Sequence, residues 1–260
     1  MEKKILAIIQ ARLGSTRLPK KVLIPILGKP ILWHIKERLK YSKLINEIVF
    51  ATTTNKEDDL IEEFGKNEGL KVYRGSQNDV LDRFYQCAKE FSGDYIVRIW
   101  GDCPLIDPTI VDKMISTLIE KQADYVSNLR PPTFPRGISA EVFTFRALEK
   151  TWNETNTVFF REYMTDYIFR NPNKFKIENL YNTEDMSNIC LSVDYEKDLF
   201  AVTEIFKKLQ ISNKIFLLPD ILNVLDERPE LKQNNTNLPR YSDYLEELKK
   251  QNYDPIGWKG

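Results

Sequence analysis

The first 121 residues alternate short apolar or β-branched runs with amphipathic segments, and this alternation limits the fold more than any other feature of the chain. Ile5–Ile9, Glu47–Thr53 (EIVFATT), Leu70–Tyr73 and Asp94–Ile99 predict strands. Ile31–Leu39, Lys56–Asn67, Asp79–Phe91 and Pro108–Lys121 predict helices. Pro30 and Pro108 stand at first turns, where a missing N–H breaks no helical bond. In Asp79–Phe91, Val80, Phe84, Cys87 and Ala88 fall at helical spacing. Strands separated by helices pair as parallel neighbours, with helices packed on both faces. The expected fold class is therefore α/β, a mostly parallel sheet flanked by helices.

The second half changes pattern. Ala123–Leu129, Ser139–Phe145, Phe175–Leu180 and Ile189–Val193 predict strands, and Thr157–Phe169 and Tyr195–Leu209 predict helices. Strands without helices between them imply an antiparallel extension of the sheet. Residues 1–210 thus form the expected main domain. Residues 211–260 hold one short helical pattern, Pro219–Leu225, and then ELKQNNTNLPRYSDY, which predicts an extended surface arm.

The first strand empties into a cationic loop. Residues 8–23 read IIQARLGSTRLPKKVL, with Arg12, Arg17, Lys20 and Lys21 set around Gly14, Ser15, Thr16 and Pro19. Open α/β sheets bind phosphates at such strand ends. Gly14 admits a close backbone approach, and Ser15 and Thr16 add hydroxyl donors. The loop matches neither G-x-x-x-x-G-K-[ST] nor G-x-G-x-x-G. Its charge is a local concentration, because 38 basic residues are balanced by 38 acidic ones. That balance argues against a general nucleic-acid or membrane-surface binder. No apolar run approaches the ~20 residues needed to span a bilayer, and Ile5–Ile9 lacks a signal-peptide cleavage pattern after it. Cys87, Cys103 and Cys190 are odd in number and widely spaced, which implies a reducing, cytoplasmic setting.

Two acids follow apolar runs. Asp102 opens GDCPLIDP (101–108) after YIVRI, and Asp194 lies in LSVDYEKDL (191–199) before a helix. Facing the basic loop, they form a candidate Mg²⁺–polyphosphate site, since magnesium is held by one or two carboxylates plus substrate phosphates. Each could instead cap a helix, the role expected of Asp107 before Pro108. Without a cation between them, two such carboxylates repel. The one histidine, His34, sits beside Trp33 and Ile35 on a helix and reads as structural. Cys103 has no activating base nearby in sequence and reads as packing.

IIQARLGSTRLPKKVL, then GKPILWHI, DVLDRF, GDCPLIDP, the G-x-x-x-E-V-F segment (Gly137 to Phe143), REYMTDYI and VDYEKDL resemble, in order over roughly residues 1–210, the cytidylyltransferase family. That family includes CMP-Kdo synthetase and the acylneuraminate cytidylyltransferases; the nearest branch is the spore-coat polysaccharide type. The resemblance implies a Rossmann-like nucleotide-diphospho-sugar transferase fold, a homodimer, and transfer of CMP from CTP to an acceptor oxygen with Mg²⁺ and release of pyrophosphate. It implies that Arg12, Lys21 and Asp102 are catalytic, with Ser15 also on the triphosphate and Asp102 and Asp194 on the metal. Gln10, Ala11, Gly14 and Arg17 join the nucleotide set, and Arg74, Ser76 and Asp79 through Arg83 lie near the base or ribose. Arg136, the Gly137–Glu141 segment and Arg161 face the acceptor. The chain departs from the pattern at Trp100, in place of a small polar residue, at Ser139, in place of Asp, and at Tyr163, in place of His.

Positioning and charge suffice for nucleotidyl transfer, so no Ser–His or Cys–His pair is required. A metal-dependent glycosyltransferase is an alternative, though the chain has no D-x-D in its central GDCPLID. A nucleotide-binding module without catalysis is another. Two guanidiniums suit a carboxylate or phosphate, which predicts an anionic acceptor touched by Arg161 in preference to Arg136.

Overall fold

A computed structural model describes residues 3–210, 215–234 and 242–254. β1 (Ile5–Gln10) leads through the basic loop to a small hairpin, β2 (Pro25–Ile26) and β3 (Lys29–Pro30), and then to α1 (Ile31–Leu39). β4 (Glu47–Thr53), α2 (Asp59–Asn67), β5 (Lys71–Gly75), α3 (Val80–Glu90), β6 (Tyr95–Trp100) and α4 (Pro108–Lys121) follow in the expected alternation. Next come β7 (Tyr125–Ser127), β8 (Glu141–Thr144), α5 (Phe145–Glu154), α6 (Val158–Glu162), α7 (Asp166–Arg170) and β9 (Ile177–Asn179). The chain continues with β10 (Ile189–Cys190), α8 (Glu196–Leu209), α9 (Leu218–Glu227), β11 (Gln233–Asn234) and α10 (Ser242–Lys250).

Seven strands form one sheet in the order β5-β4-β1-β6-β8-β7-β9. β1, β4, β5 and β6 are parallel, while β8 runs antiparallel to both β6 and β7. Alternate residues of each strand feed opposite faces. Ala7 and Ile9 pack with residues of α1, α4, α8 and α9, whereas Leu6 and Ile8 pack with residues of α3, α5 and α10. The α/β class with its antiparallel extension is therefore observed. No helix among the described residues is long and apolar enough to cross a membrane.

Three expectations change. Thr157–Phe169 is not one helix: α6 and α7 are separate, with Tyr163 at φ −98°, ψ 61° after the first. Phe145 opens α5 instead of closing a strand, because the Thr144 hydroxyl accepts from Ala147 N at 3.0 Å and caps the helix. The polar tail is not wholly extended: its last residues enter α10, which buries Tyr244 and Leu248, while residues 235–241 lie outside the described part. The segment after residue 210 also shares the main core through Phe216, Leu218, Ile221 and Leu225. Leu218 N donates to Asp107 at 2.8 Å, and Arg38 donates to the carbonyls of Ile106 and Phe216. Asp107 does cap α4, accepting from Thr109 N at 2.8 Å.

Candidate active site

Strand register builds this site. Gln10 and Trp100 end β1 and β6 and are paired partners, so the two loops that follow leave the sheet side by side. Gly101 N donates to Gln10 O at 2.9 Å, and a Cβ on Gly101 would come within 2.8 Å of that same oxygen. The close approach requires glycine and brings Asp102 against the basic loop. Buried Leu13 and Leu18 anchor that loop in the core, and Leu13 N donates to Asp58 at 2.7 Å. Gly14, Thr16 and Arg17 are left exposed between the anchors, and Arg12 just before them.

Lys21 occupies the centre. Its ammonium donates to Asp102 Oδ2 at 2.7 Å and to Asp194 Oδ1 at 2.8 Å. Arg17 reaches Asp194 Oδ1 at 2.9 Å, and Arg136 is bonded to Asp194 Oδ2. Val193 N donates to the Asp102 carbonyl at 2.8 Å, which locks the two acid-bearing loops together. Asp198, in the first turn of α8, accepts from Asp194 N and Tyr195 N. The two carboxylates therefore do not face each other unshielded, as expected from sequence; a cation bridges them. Burial opposes ionisation of Asp102, but the Lys21 charge and hydrogen bond outweigh it and hold the carboxyl below its ordinary value of 3.8. Burial likewise opposes the Lys21 charge, and Asp102 and Asp194 overcome it, raising the ammonium above 10.5.

Two carboxylates converging on one ammonium also suit a small divalent cation. Among the described residues no group of three or more His, Cys, Asp or Glu is placed to hold a metal ion, so further ligands would have to come from substrate and water. That is the donor set magnesium takes with polyphosphates.

Two cavities meet here. The first, about 250 Å³, is lined by the loop residues Ala11, Gly14, Ser15, Thr16, Arg17 and Lys21. The second, about 280 Å³, is bordered by Arg83, Arg98, Arg130, Arg136, Gly137, Ser139 and Glu141. Gln10, Arg12, Trp100 and Asp102 border both. Most of the nucleotide and acceptor residues expected from sequence border these cavities, but Arg74, Ser76, Asp79, Leu81, Asp82 and Arg161 border neither. Arg74 borders neither cavity; it donates to Thr53 O, Asn55 O, Asp59 and Glu62. Ser76 borders neither, and its hydroxyl accepts from Asp79 N at 3.1 Å. Arg161 borders neither and pairs with Asp79 at 3.5 Å, whereas Arg136 lines the second cavity. Arg74→Ala should accordingly keep its affinity for CTP; a loss of about tenfold in a calorimetric titration would return Arg74 to the nucleotide site.

Sequence reasoning missed Arg98, Arg130 and Tyr244. Arg98 donates to Gln10 Oε1 at 3.2 and 3.1 Å and to Glu141 Oε2 at 2.9 Å, and lies 4.7 Å over the Trp100 ring. Glu141 also accepts from the Tyr125 hydroxyl, so its charge is committed to its neighbours. A lone charge inside the buried run YIVRIW was the available signal. Arg83 is 1% exposed, and its Nε has no hydrogen-bond partner among the described residues. Burial, then Arg12 and Arg98, push its pKa down to about 10. The Cys103 thiol donates to Asp102 at 3.4 Å, and burial and that charge raise it well above 9.0, which leaves it protonated. His34 Nε2 donates to Ile26 O at 2.8 Å, and the ring packs 4.4 Å from Phe206, as a structural residue.

Known proteins share this architecture. The family profile described as cytidylyltransferase matches residues 6–249. An uncharacterised protein of Methanocaldococcus jannaschii, MJ1063, is 42% identical over 92% of this chain and 97% of its own. The spore coat polysaccharide biosynthesis protein SpsF of Bacillus subtilis is 32% identical over 78% of this chain and 87% of its own. The solved structure of a cytidylyltransferase from Leptospira borgpetersenii has a TM-score of 0.85 and 36% identity, covering 90% of this chain and 99% of that one.

Proposed function

This chain belongs to the cytidylyltransferase family, and from that premise we propose that it transfers the cytidylyl group of CTP to a hydroxyl oxygen of a small anionic, sugar-like acceptor. The acceptor oxygen bonds to the α-phosphorus, the bond from the α-phosphorus to the α,β-bridging oxygen breaks, pyrophosphate leaves with that oxygen, and the acceptor hydroxyl passes its proton to solvent. One observation carries this reading: a cationic loop cavity and an arginine-bordered cavity share Asp102, Arg12 and Trp100. Two substrates seated in adjoining cavities meet at the residues common to both.

In this reading Arg12, Arg17 and Lys21 neutralise the triphosphate, whose charge would otherwise resist an incoming oxygen. Asp102 and Asp194 hold Mg²⁺, which when bound supplies positive charge against the phosphate oxygens. Arg136, tethered to Asp194, orients the acceptor beside the nucleotide. The name of the B. subtilis relative supports a product destined for surface polysaccharide. Three buried, free cysteines support a reducing cytoplasmic setting. The reading includes a homodimer, which light scattering tests.

The decisive assay follows pyrophosphate release with CTP, Mg²⁺ and a panel of sugar acids and phosphorylated sugars or alditols. CTP should be preferred over ATP, GTP and UTP, and excess chelator should abolish turnover. Full activity in chelator removes the metal from the reading. Binding of CTP without turnover of any panel member would instead favour a nucleotide-binding module.

A further inference from the structure

Among the described residues, Gln10, Arg12, Trp100 and Asp102 border both cavities. Gln10, Arg12 and Asp102 are polar or charged, so the apolar surface at that junction comes from Trp100. Phosphoryl chemistry itself asks for charge and positioning, and an indole supplies no charge. The far wall of the second cavity is built elsewhere, by Leu129, Thr165 and Tyr244 of α10.

Strand alternation puts the indole there. Leu6, Ile8 and Gln10 on β1 stand opposite Ile96, Arg98 and Trp100 on β6, so all six share one face of the sheet. Leu6, Ile8 and Ile96 are buried in the core with residues of α3. At the C-terminal ends of the two strands the same face turns polar and aromatic, where open α/β sheets take ligands. Arg98 then fixes the ring. Its guanidinium lies 4.7 Å over the Trp100 ring and 5.5 Å over that of buried Phe84. Two hydrogen bonds to Gln10 Oε1 and one to Glu141 Oε2 hold that guanidinium in turn. The backbone is pinned as well, since Cys103 N donates to Trp100 O at 3.3 Å and Gly101 N to Gln10 O at 2.9 Å. With a cation over one face, the half-buried indole meets the cavities with the rest of its surface.

We propose that Trp100 makes the enzyme select a cyclic acceptor, whose ring lays its apolar face on the indole, and that Arg98 is the positioning residue that holds the indole in place. This rests on the transferase reading above. Charge does not separate a sugar phosphate from an alditol phosphate, because both carry the same anion. A fixed flat wall does separate them. A ring arrives rigid and covers the indole at little entropic cost, whereas an open chain must freeze its torsions to lie flat. The wall stands at the residues common to both cavities, so a ring seated on it has its hydroxyls beside the nucleotide.

The test uses the full chain saturated with CTP and free of divalent metal, so that binding is read without turnover. Glucose 6-phosphate, 3-deoxy-manno-octulosonate and glucitol 6-phosphate are titrated by calorimetry; the first and last carry the same anion on a ring and on an open chain. The wild type should bind a ring probe about tenfold more tightly than glucitol 6-phosphate, and the bound ring should alter the tryptophan fluorescence. Trp100→Ala should weaken the ring probe about tenfold and leave CTP affinity unchanged. Trp100→Phe should keep most of the affinity and lose the fluorescence change. Arg98→Lys keeps a charge opposite Glu141 but no flat group over the indole, and should weaken the ring probe without touching CTP. Equal binding of ring and open-chain probes overturns the proposal, as does failure of both ring probes or a fluorescence change that survives Trp100→Phe. Unaltered ring-probe affinity in Trp100→Ala or Arg98→Lys overturns it too. Joint loss of CTP and probe in Trp100→Ala does the same, since that marks a structural or nucleotide-binding role. The wild-type comparison of ring with open chain decides the matter where a variant fails to fold. A wild type that does not bind CTP overturns the transferase reading itself.

Discussion

Replacing Asp102 by asparagine is expected to lower kcat by about a hundredfold or more, the scale seen when one preorganised electrostatic group is removed. The substitution keeps the shape of the turn, and the Asp102 backbone still accepts from Val193 N at 2.8 Å. Only the charge disappears, at the residue that borders both cavities and shares Lys21 with Asp194. The folded carboxyl lies below its ordinary value of 3.8, because Lys21 outweighs the opposing effect of burial. Its contribution to stability is thus present above pH 3.8 and is lost as pH falls through the lowered folded value. The asparagine variant should lack that component. Steady-state kinetics and thermal melts across pH check both halves, and a variant with near-wild-type kcat removes Asp102 from the chemistry. Asp194 differs, since three cations converge on its 2%-exposed side chain. Neutralising it strands buried positive charge, so the fold suffers together with the activity.

Gly137→Ala is expected to cost about 2–6 kcal/mol of stability, from a strained backbone and an overpacked contact at about 1–3 kcal/mol each. Gly137 has φ +97°, and a Cβ there would lie 2.5 Å from Ser192 N and 2.7 Å from Leu191 O. Those atoms are backbone and cannot rotate away. They belong to a bridge in which Arg136 N donates to Ile189 O at 2.9 Å and Leu191 N donates to Arg136 O at 2.6 Å. Pushing that bridge apart displaces Arg136 and the segment leading to Asp194. The melting temperature should fall by roughly 5–20 °C, taking about 2–4 °C per kcal/mol for a chain of this size. A melt within about 2 °C of wild type would contradict the strain argument.

The meeting of the basic loop with Asp102 was legible in sequence because both follow strand ends. An apolar run that stops at Gln10, and another that stops at Trp100, mark where a parallel sheet opens, and register does the rest. Placing Arg74 was not possible from sequence, because a cation near a turn has the same local signature whether it meets a phosphate or is paired, as here, with Asp59 and Glu62. Arg98 and Glu141 stand 43 positions apart and meet only through the antiparallel pairing of β6 with β8. Periodicity carries no information about such a partner. Tyr244 stayed hidden for the same reason: its partner Asp166 is 78 positions away.

The contribution of α10 to the second cavity has a bearing on the order of events at the ribosome. Synthesis runs from the N-terminus, so the loop cavity has all its lining residues, Gln10 to Asp102, long before the chain is finished. The second cavity waits for Tyr244. A nascent chain can assemble its loop cavity early, yet the wall of the second cavity closes only after residue 244 has emerged and docked on Asp166.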